Sequence, residues 1–293
     1  MEEIKRNSGM EREYRNRAYQ VAALDMDGTV LNDKKKMDED TRRAIHEALA
    51  AGKEVVFCTG RSYAEMEETL REFPDMHYLC GESGALVYDL RAGRPIRMVS
   101  MEKNVISQLW KVTEGRDIMV QIFSEGASLG NRGQLGRMAH YQMGVYQEAF
   151  DRVCTPVEDV KTLALEPGRS VEKVNLYHTS PAEREKTWEM LRRMGIKTTM
   201  VYSEISSLEC SALGLSKASG LGAICEVMGI TMDQVIMVGD ADNDLEALRA
   251  SGLAVAMGNA NENVKKICQV QVADNNHNGC AQAIQRYLLK REG

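Results

Sequence analysis

Short apolar runs that stop abruptly at clusters of acids and glycines constrain this chain more than any other feature. Residues 19–24 (YQVAAL) run into Asp25-Met26-Asp27-Gly28-Thr29, and Glu54–Cys58 (EVVFC) runs into Thr59-Gly60-Arg61. Residues 235–238 (VIMV) run into Gly239-Asp240-Ala241-Asp242-Asn243-Asp244. Such runs are too short for a buried helix and read as strands covered on both faces, the habit of parallel sheets. Helical patterns alternate with them: residues 38–51 before Gly52, 62–72, 217–228 before Gly229, and 243–250. Further strands are expected at 77–80, 253–257 and 270–273, and further helices at 262–267 and 278–290. This alternation predicts an α/β fold, a Rossmann-like doubly wound parallel sheet with helices on both faces.

The middle of the chain has a different character. Residues 88–209 hold shorter, more polar segments, and 124–137 reads as a loop with four glycines. A helix at 102–114 followed by a strand at 118–123 resembles, at low resolution, a helix at 181–194 followed by strands at 197–202 and 207–210. Between them, 171–178 alternates as a half-buried strand. The chain is therefore expected to divide into an N-terminal extension (1–18), an α/β core (19–87 and 210–293) and an inserted α+β domain (88–209). Nine of the first eighteen residues are charged, with no apolar h-region and no lack of acids, so neither a secretory nor a mitochondrial leader is expected.

Composition narrows the function classes. Lys and Arg number 37 against 43 Asp and Glu, a formal charge of −6, which argues against a general nucleic-acid partner. No apolar run reaches the length of a membrane span. The seven cysteines show no CxxC spacing and suit reduced thiols in a cytoplasmic protein, with Cys58 and Cys210 expected in the core. The five histidines are dispersed, so no His-built metal site is expected.

In open α/β sheets the binding crevice lies outside the carboxyl ends of the strands. Asp25, Asp27, Thr59, Asp240, Asn243 and Asp244 all follow strands and should converge there. Several carboxylates at one site repel one another unless a cation neutralises them, and an all-oxygen ligand set favours a hard ion such as Mg²⁺. A carboxylate can also serve as a nucleophile. Nucleophile, cation and positioned donors are what phosphoryl transfer requires.

Asp25-Met26-Asp27-Gly28-Thr29, Thr59-Gly60-Arg61, Lys217 and Gly239-Asp240-Ala241-Asp242-Asn243-Asp244 resemble, in order, the four motifs of the haloacid dehalogenase (HAD) superfamily. The long interval between Thr59 and Lys217 resembles the Cof-type phosphatases of subclass IIB, in which the insert is a C2-type cap. Residues 254–260 (AVAMGNA) and Asn278-Gly279 add to the likeness. The resemblance implies Asp25 as nucleophile and Mg²⁺ ligand, and Asp27 as general acid and base whose backbone carbonyl also touches the metal. It implies Asp240 as a direct metal ligand, with Asn243 and Asp244 orienting the metal shell and Lys217. Thr59, Gly60, Arg61, Lys217 and Asn243 would bind the substrate phosphate, and Thr59 and Lys217 would assist the chemical step. Asp242 occupies a variable position of the motif.

Two positions depart from the family pattern: Lys217-Ala218 replaces Lys-Gly, and Ser83-Gly84-Ala85 replaces Asn-Gly-Ala. The activity implied is Mg²⁺-dependent hydrolysis of a small phosphorylated metabolite, a sugar phosphate by class, through an aspartyl-phosphate. A phosphomutase would instead need a bisphosphorylated activator and release little phosphate. A silent metabolite-binding protein would not need both aspartates. Arg132, Arg137, His140 and Tyr141 in the insert are candidates to face substrate, with an exposed loop as the alternative.

Overall fold

The computed structural model describes Tyr14 and residues 16–291. Most of the expected extension, 1–18, lies outside the described residues. In chain order the first strands are β1 (Val21–Leu24), β2 (Glu54–Cys58), β3 (Tyr78–Gly81), β4 (Leu86–Asp89) and β5 (Arg94–Met98). Then come β6 (Ile118–Ser124), β7 (Ala127–Asn131), β8 (Cys154–Val157), β9 (Lys173–His178), β10 (Thr198–Tyr202) and β11 (Ser207–Ala212). The chain closes with β12 (Val235–Gly239), β13 (Leu253–Ala256) and β14 (Val270–Gln271). Among the described residues these strands form an eight-stranded sheet and a six-stranded sheet.

The larger sheet has the order β14-β13-β12-β1-β2-β3-β4-β5. All four residues of β1 are at most 1% exposed, as expected of a central strand covered on both faces. The strand order reverses at β1: β2 lies on one side and β12 on the other, both parallel to it. Leu24 is in register with Val238 and with Phe57, so Asp25, just past β1, stands level with Gly239 and Cys58, the last residues of β12 and β2. Asp240 and Thr59 follow one residue further on. This is the switch-point geometry that opens a crevice at the strand tips.

The sheet core is parallel, as expected, and its margin is not. β4 runs antiparallel to β3, and the expected boundary at 87/88 cuts through it. The cause is the connection. Only Glu82 to Ala85 join the two strands, and Glu82, Ser83 and Gly84 all have positive φ (54°, 58° and 94°). So tight a reversal allows a hairpin, whereas a parallel neighbour needs a crossover of a dozen residues or more.

The smaller sheet has the order β10-β11-β9-β6-β7-β8. The helices Lys103–Thr113, Val160–Leu165 and Pro181–Arg193 contribute to one apolar cluster with alternate strand residues, among them Val120, Ile122, Val174, Leu176 and Leu208. Strand alternation sends Gln121, Lys173, Asn175 and Glu209 to the opposite face, where they are also buried. The expected glycine-rich loop at 124–137 instead contains β7 and a short helix, Arg132–Leu135. Glu125 and Gly126 both have positive φ (56° and 82°), which makes a two-residue hairpin turn and continues the sheet. β8 and the helices Gln147–Val153 and Val160–Leu165 are further elements whose short spans left no clear periodicity.

By contact density the chain falls into two units. One comprises 1–59, 72–96 and 216–293; the other comprises 60–71 and 97–215. The helix Tyr63–Arg71 thus groups with the insert: Ala64 N donates to Gly126 O at 3.0 Å, and Arg152 pairs with Glu68 at 3.0 Å. The expected boundary at 209/210 falls within β11. All seven cysteines are free, and Cys58 and Cys210 are core residues as expected. Among the described residues no helix is long and apolar enough to cross a membrane.

Candidate active site

The tips of β1, β2 and β12 carry the acids and the hydroxyl picked out from the sequence. Asp25 follows β1 directly, and its amide continues the sheet by donating to Val238 O at 3.1 Å. Gly28 has a φ of +85°, and a Cβ there would fall 2.4 Å from Asp240 Oδ2. Glycine is therefore required both for the turn after Asp27 and for the close approach of the two motifs. Thr29, in the same turn, donates from Oγ1 to Asp240 Oδ1 at 2.9 Å.

Lys217 begins the helix Lys217–Met228 behind a Ser216 cap that exchanges hydrogen bonds with Ser219. Its side chain is fully buried; Nζ lies 2.5 Å from Asp25 Oδ1 and 2.6 Å from Asp244 Oδ1. The other oxygen of Asp244 accepts from the amides of Asp240 (3.0 Å) and Ala241 (3.3 Å). Asp244 is thereby locked on both sides, which suits an orienting residue better than a freely moving ligand. One carboxylate oxygen from each of Asp25, Asp240 and Asp244 lies within 4.8 Å of the other two.

The electrostatics follow from this crowding. Burial drives the Asp25 carboxyl well above its usual range; Lys217 opposes that rise, and Asp244 and Asp240 add to it. Asp240 is pushed up to about 7, by burial first and Asp244 second. Burial works against the charge on Lys217, but Asp244 and Asp25 overcome it and hold the ammonium well above its ordinary value. One ammonium faces three carboxylates, an excess of two negative charges when all are ionised.

That excess, with an all-oxygen donor set, fits a hard divalent cation. Asn243 supports the fit: its Oδ1 is buried and has no hydrogen-bond partner. Asp25 and Asp240 are suited to hold Mg²⁺, with Asn243 and Asp244 behind them. Asp27 stands apart from the three-carboxylate group; it is partly exposed and accepts from Lys35 Nζ at 3.1 Å.

Thr59 is buried and its backbone is pinned, its amide donating to Cys80 O at 2.8 Å and its carbonyl accepting from Ser83 N at 2.9 Å. Ser83 thus meets the Thr59 loop through its backbone, a contact that does not need the asparagine of the family pattern. Gly60 and Arg61 fall in the second unit, where Arg61 acts by charge on the partly buried Glu65. Asp242 is exposed and accepts from Asn261 Nδ2 (2.9 Å) and Asn263 Nδ2 (3.1 Å), a surface bracket.

The insert residues Arg132, Arg137, His140 and Tyr141 make local contacts instead of standing open. Arg132 pairs with Glu158, His140 and Tyr141 both meet Asp117, and Arg137 donates to the Tyr141 hydroxyl. The sequence reading gave no role to Thr29 or Lys35. Thr29 sits inside the first motif, so its place there was the available signal. Lys35 had none, because its left-handed backbone (φ 57°) folds the segment back toward Asp27.

Comparison with known proteins agrees with this geometry. The sequence profile of the haloacid dehalogenase-like hydrolases matches residues 22–284. A Bacillus subtilis 5-amino-6-(5-phospho-D-ribitylamino)uracil phosphatase is 27% identical, over 92% of this chain and 96% of its own length. A haloacid dehalogenase-like hydrolase from Bacteroides thetaiotaomicron superposes with a TM-score of 0.79 at 22% identity, covering 92% of this chain and 99% of that one. A subclass IIB sugar phosphatase superposes with a TM-score of 0.77 at 19% identity, covering 92% and 98%. These structural likenesses show the shared fold.

Proposed function

The chain belongs to the haloacid dehalogenase-like hydrolase family, and from that premise we propose that it is a Mg²⁺-dependent phosphatase of a small phosphorylated sugar or sugar alcohol. The observation that carries the reading is Lys217 held between Asp25 and Asp244, with Asp240 alongside. The substrate class is supported by the two relatives, one named for a phosphoribityl compound and the other for sugar phosphates.

Lys217 engages Asp25 Oδ1, which leaves Oδ2 for attack on phosphorus. As the P–O bond to the leaving group breaks, Asp27 delivers a proton to the departing oxygen. The product of this half-reaction is an acyl phosphate on Asp25. Asp27, now ionised, takes a proton from water, which attacks the phosphorus and frees Asp25. Lys217 and the Thr59 hydroxyl stabilise negative charge on the phosphoryl oxygens. Mg²⁺, when bound by Asp25, Asp240 and the Asp27 carbonyl, supplies charge neutralisation for the transferring group. Lys35 orients Asp27 and is expected to have a modest effect.

The insert, 88–209, is read as the C2-type cap that selects the leaving group. Phosphate release from a panel of sugar phosphates, sugar-alcohol phosphates and an aryl phosphate, with and without Mg²⁺, tests the whole reading. Stoichiometric release from at least one ester, dependent on Mg²⁺, is expected. No release from any ester, or transfer only between two hydroxyls of a sugar, contradicts it.

A further inference from the structure

Among the described residues, the mechanism leaves the buried cation Lys173 unused. Lys173, on β9 in the insert, is only 1% exposed. Its Nζ lies 2.9 Å from Glu209 Oε2 on β11 and donates at 2.5 Å to the carbonyl of Gly60. It also stands 5.0 Å from the centroid of the Phe123 ring on β6. A lysine in such a place must be paired and hydrogen-bonded to remain charged. Pairing alone would have been met by Glu209. The second partner is the carbonyl of the residue that follows Thr59.

Thr59 already has both backbone groups engaged, with Cys80 and Ser83. Gly60 has no side chain to restrict its backbone, and glycine is the most conformationally free residue. The bond from Lys173 fixes the plane of the peptide that joins Gly60 to Arg61. With it, the backbone of the Thr59-Gly60-Arg61 segment is constrained at three polar groups. Glu209 keeps the ammonium aimed, because the two side chains sit on neighbouring antiparallel strands where Ser211 pairs with Lys173 and Glu209 with Asn175. A diagonal cross-strand pair of long side chains is within reach in this geometry.

We propose that Lys173, aimed by Glu209, is a positioning residue that sets the Thr59-Gly60-Arg61 segment to receive the phosphoryl group. This rests on the phosphatase reading above. The segment binds substrate phosphate and product phosphate alike, so loosening it weakens both. Rate constants for the bound ester change less, because Asp25, Asp27 and Lys217 are untouched and Thr59 keeps its own backbone bonds to Cys80 and Ser83.

The test uses the full chain carrying Lys173→Met, Lys173→Arg or Glu209→Gln, with an aryl phosphate as substrate and inorganic phosphate as competitive inhibitor. Lys173→Met is expected to raise KM and the phosphate inhibition constant in parallel by about tenfold, with a smaller change in kcat. Lys173→Arg restores most of both, since a guanidinium reaches carbonyl and carboxylate together. Glu209→Gln falls between. A folded Lys173→Met protein with KM and inhibition constant within about twofold of wild type overturns the proposal. If Lys173→Met fails to fold, unchanged constants in Glu209→Gln overturn it equally. Wild-type protein that releases no phosphate from any ester overturns the phosphatase reading and this proposal with it, whereas active wild type with indifferent variants overturns this proposal alone.

Discussion

Lys217 and Lys173, the two buried lysines among the described residues and one in each unit, differ in the charge around them. Lys217 stands against three carboxylates, Asp25, Asp240 and Asp244, so its pocket is short of two positive charges. Lys173 pairs with Glu209, and the nearby Glu65 feels both Lys173 and Arg61, so two cations meet two acids there. A balanced buried network holds a shape, and an unbalanced one calls for a further ion. The first pocket therefore reads as a reactive centre and the second as a frame. The local chemistry is the same, an ammonium beside a carboxylate; the difference lies in how many acids the fold brings within reach.

The largest effect that would break this contrast is on turnover. Asp25→Asn is expected to lower phosphate release by about 10⁴-fold or more with thermal stability retained, as for loss of a nucleophile. Residual activity above a hundredth of wild type would remove Asp25 from the nucleophile's role. Next comes the cation. Saturating Mg²⁺ should stabilise wild type by about 2.7 kcal/mol at a hundred times its Kd, read as a rise in Tm. Asp240→Asn should lose that rise and Lys173→Met should keep it. Equal loss in both variants would mean that the two pockets are not distinct in this respect.

A smaller effect concerns His178 in the insert, buried between Ser206 O and Thr187 Oγ1 at 2.8 Å each. Burial lowers its pKa from 6.5 to about 4. The unfolded chain then takes up the proton first on acidification. The stabilisation from neutral His178 is full above pH 6.5 and is lost as pH falls toward about 4. Denaturant melts of wild type and His178→Gln across that range should converge at low pH; a constant difference between them would refute the assignment. The smallest effect is expected from Asp242→Asn, which should leave kcat/KM within about twofold, as for an exposed group held by surface asparagines. A tenfold loss would place Asp242 in the chemistry.

The pieces of the site that could be read directly are those carried by local pattern. Apolar runs four or five residues long announce buried strands, and an acid immediately after such a run must stand at a strand tip. Gly28 announces a turn because only a residue without Cβ suits a φ of +85° beside Asp240. The less legible pieces are short or non-local. The hairpin at Glu125-Gly126 lies in a stretch whose glycines suggested an open loop, and β4 reverses through a turn whose sign depends on three successive positive φ values.

The amino-acid sequence by itself determined the α/β core, the order of its strand-tip clusters and which acids follow the strands, because each is encoded within a few neighbouring residues. Tertiary structure alone decided the partners. Thr29 reaches Asp240 across 211 residues, Lys173 reaches Gly60 across 113, and Lys217 finds Asp25 across 192. It decided that Asp244 is bound through both oxygens and that Lys35 turns back onto Asp27. No local periodicity records such contacts; they exist because the sheets bring distant segments within hydrogen-bonding distance, where burial makes each unmatched charge costly.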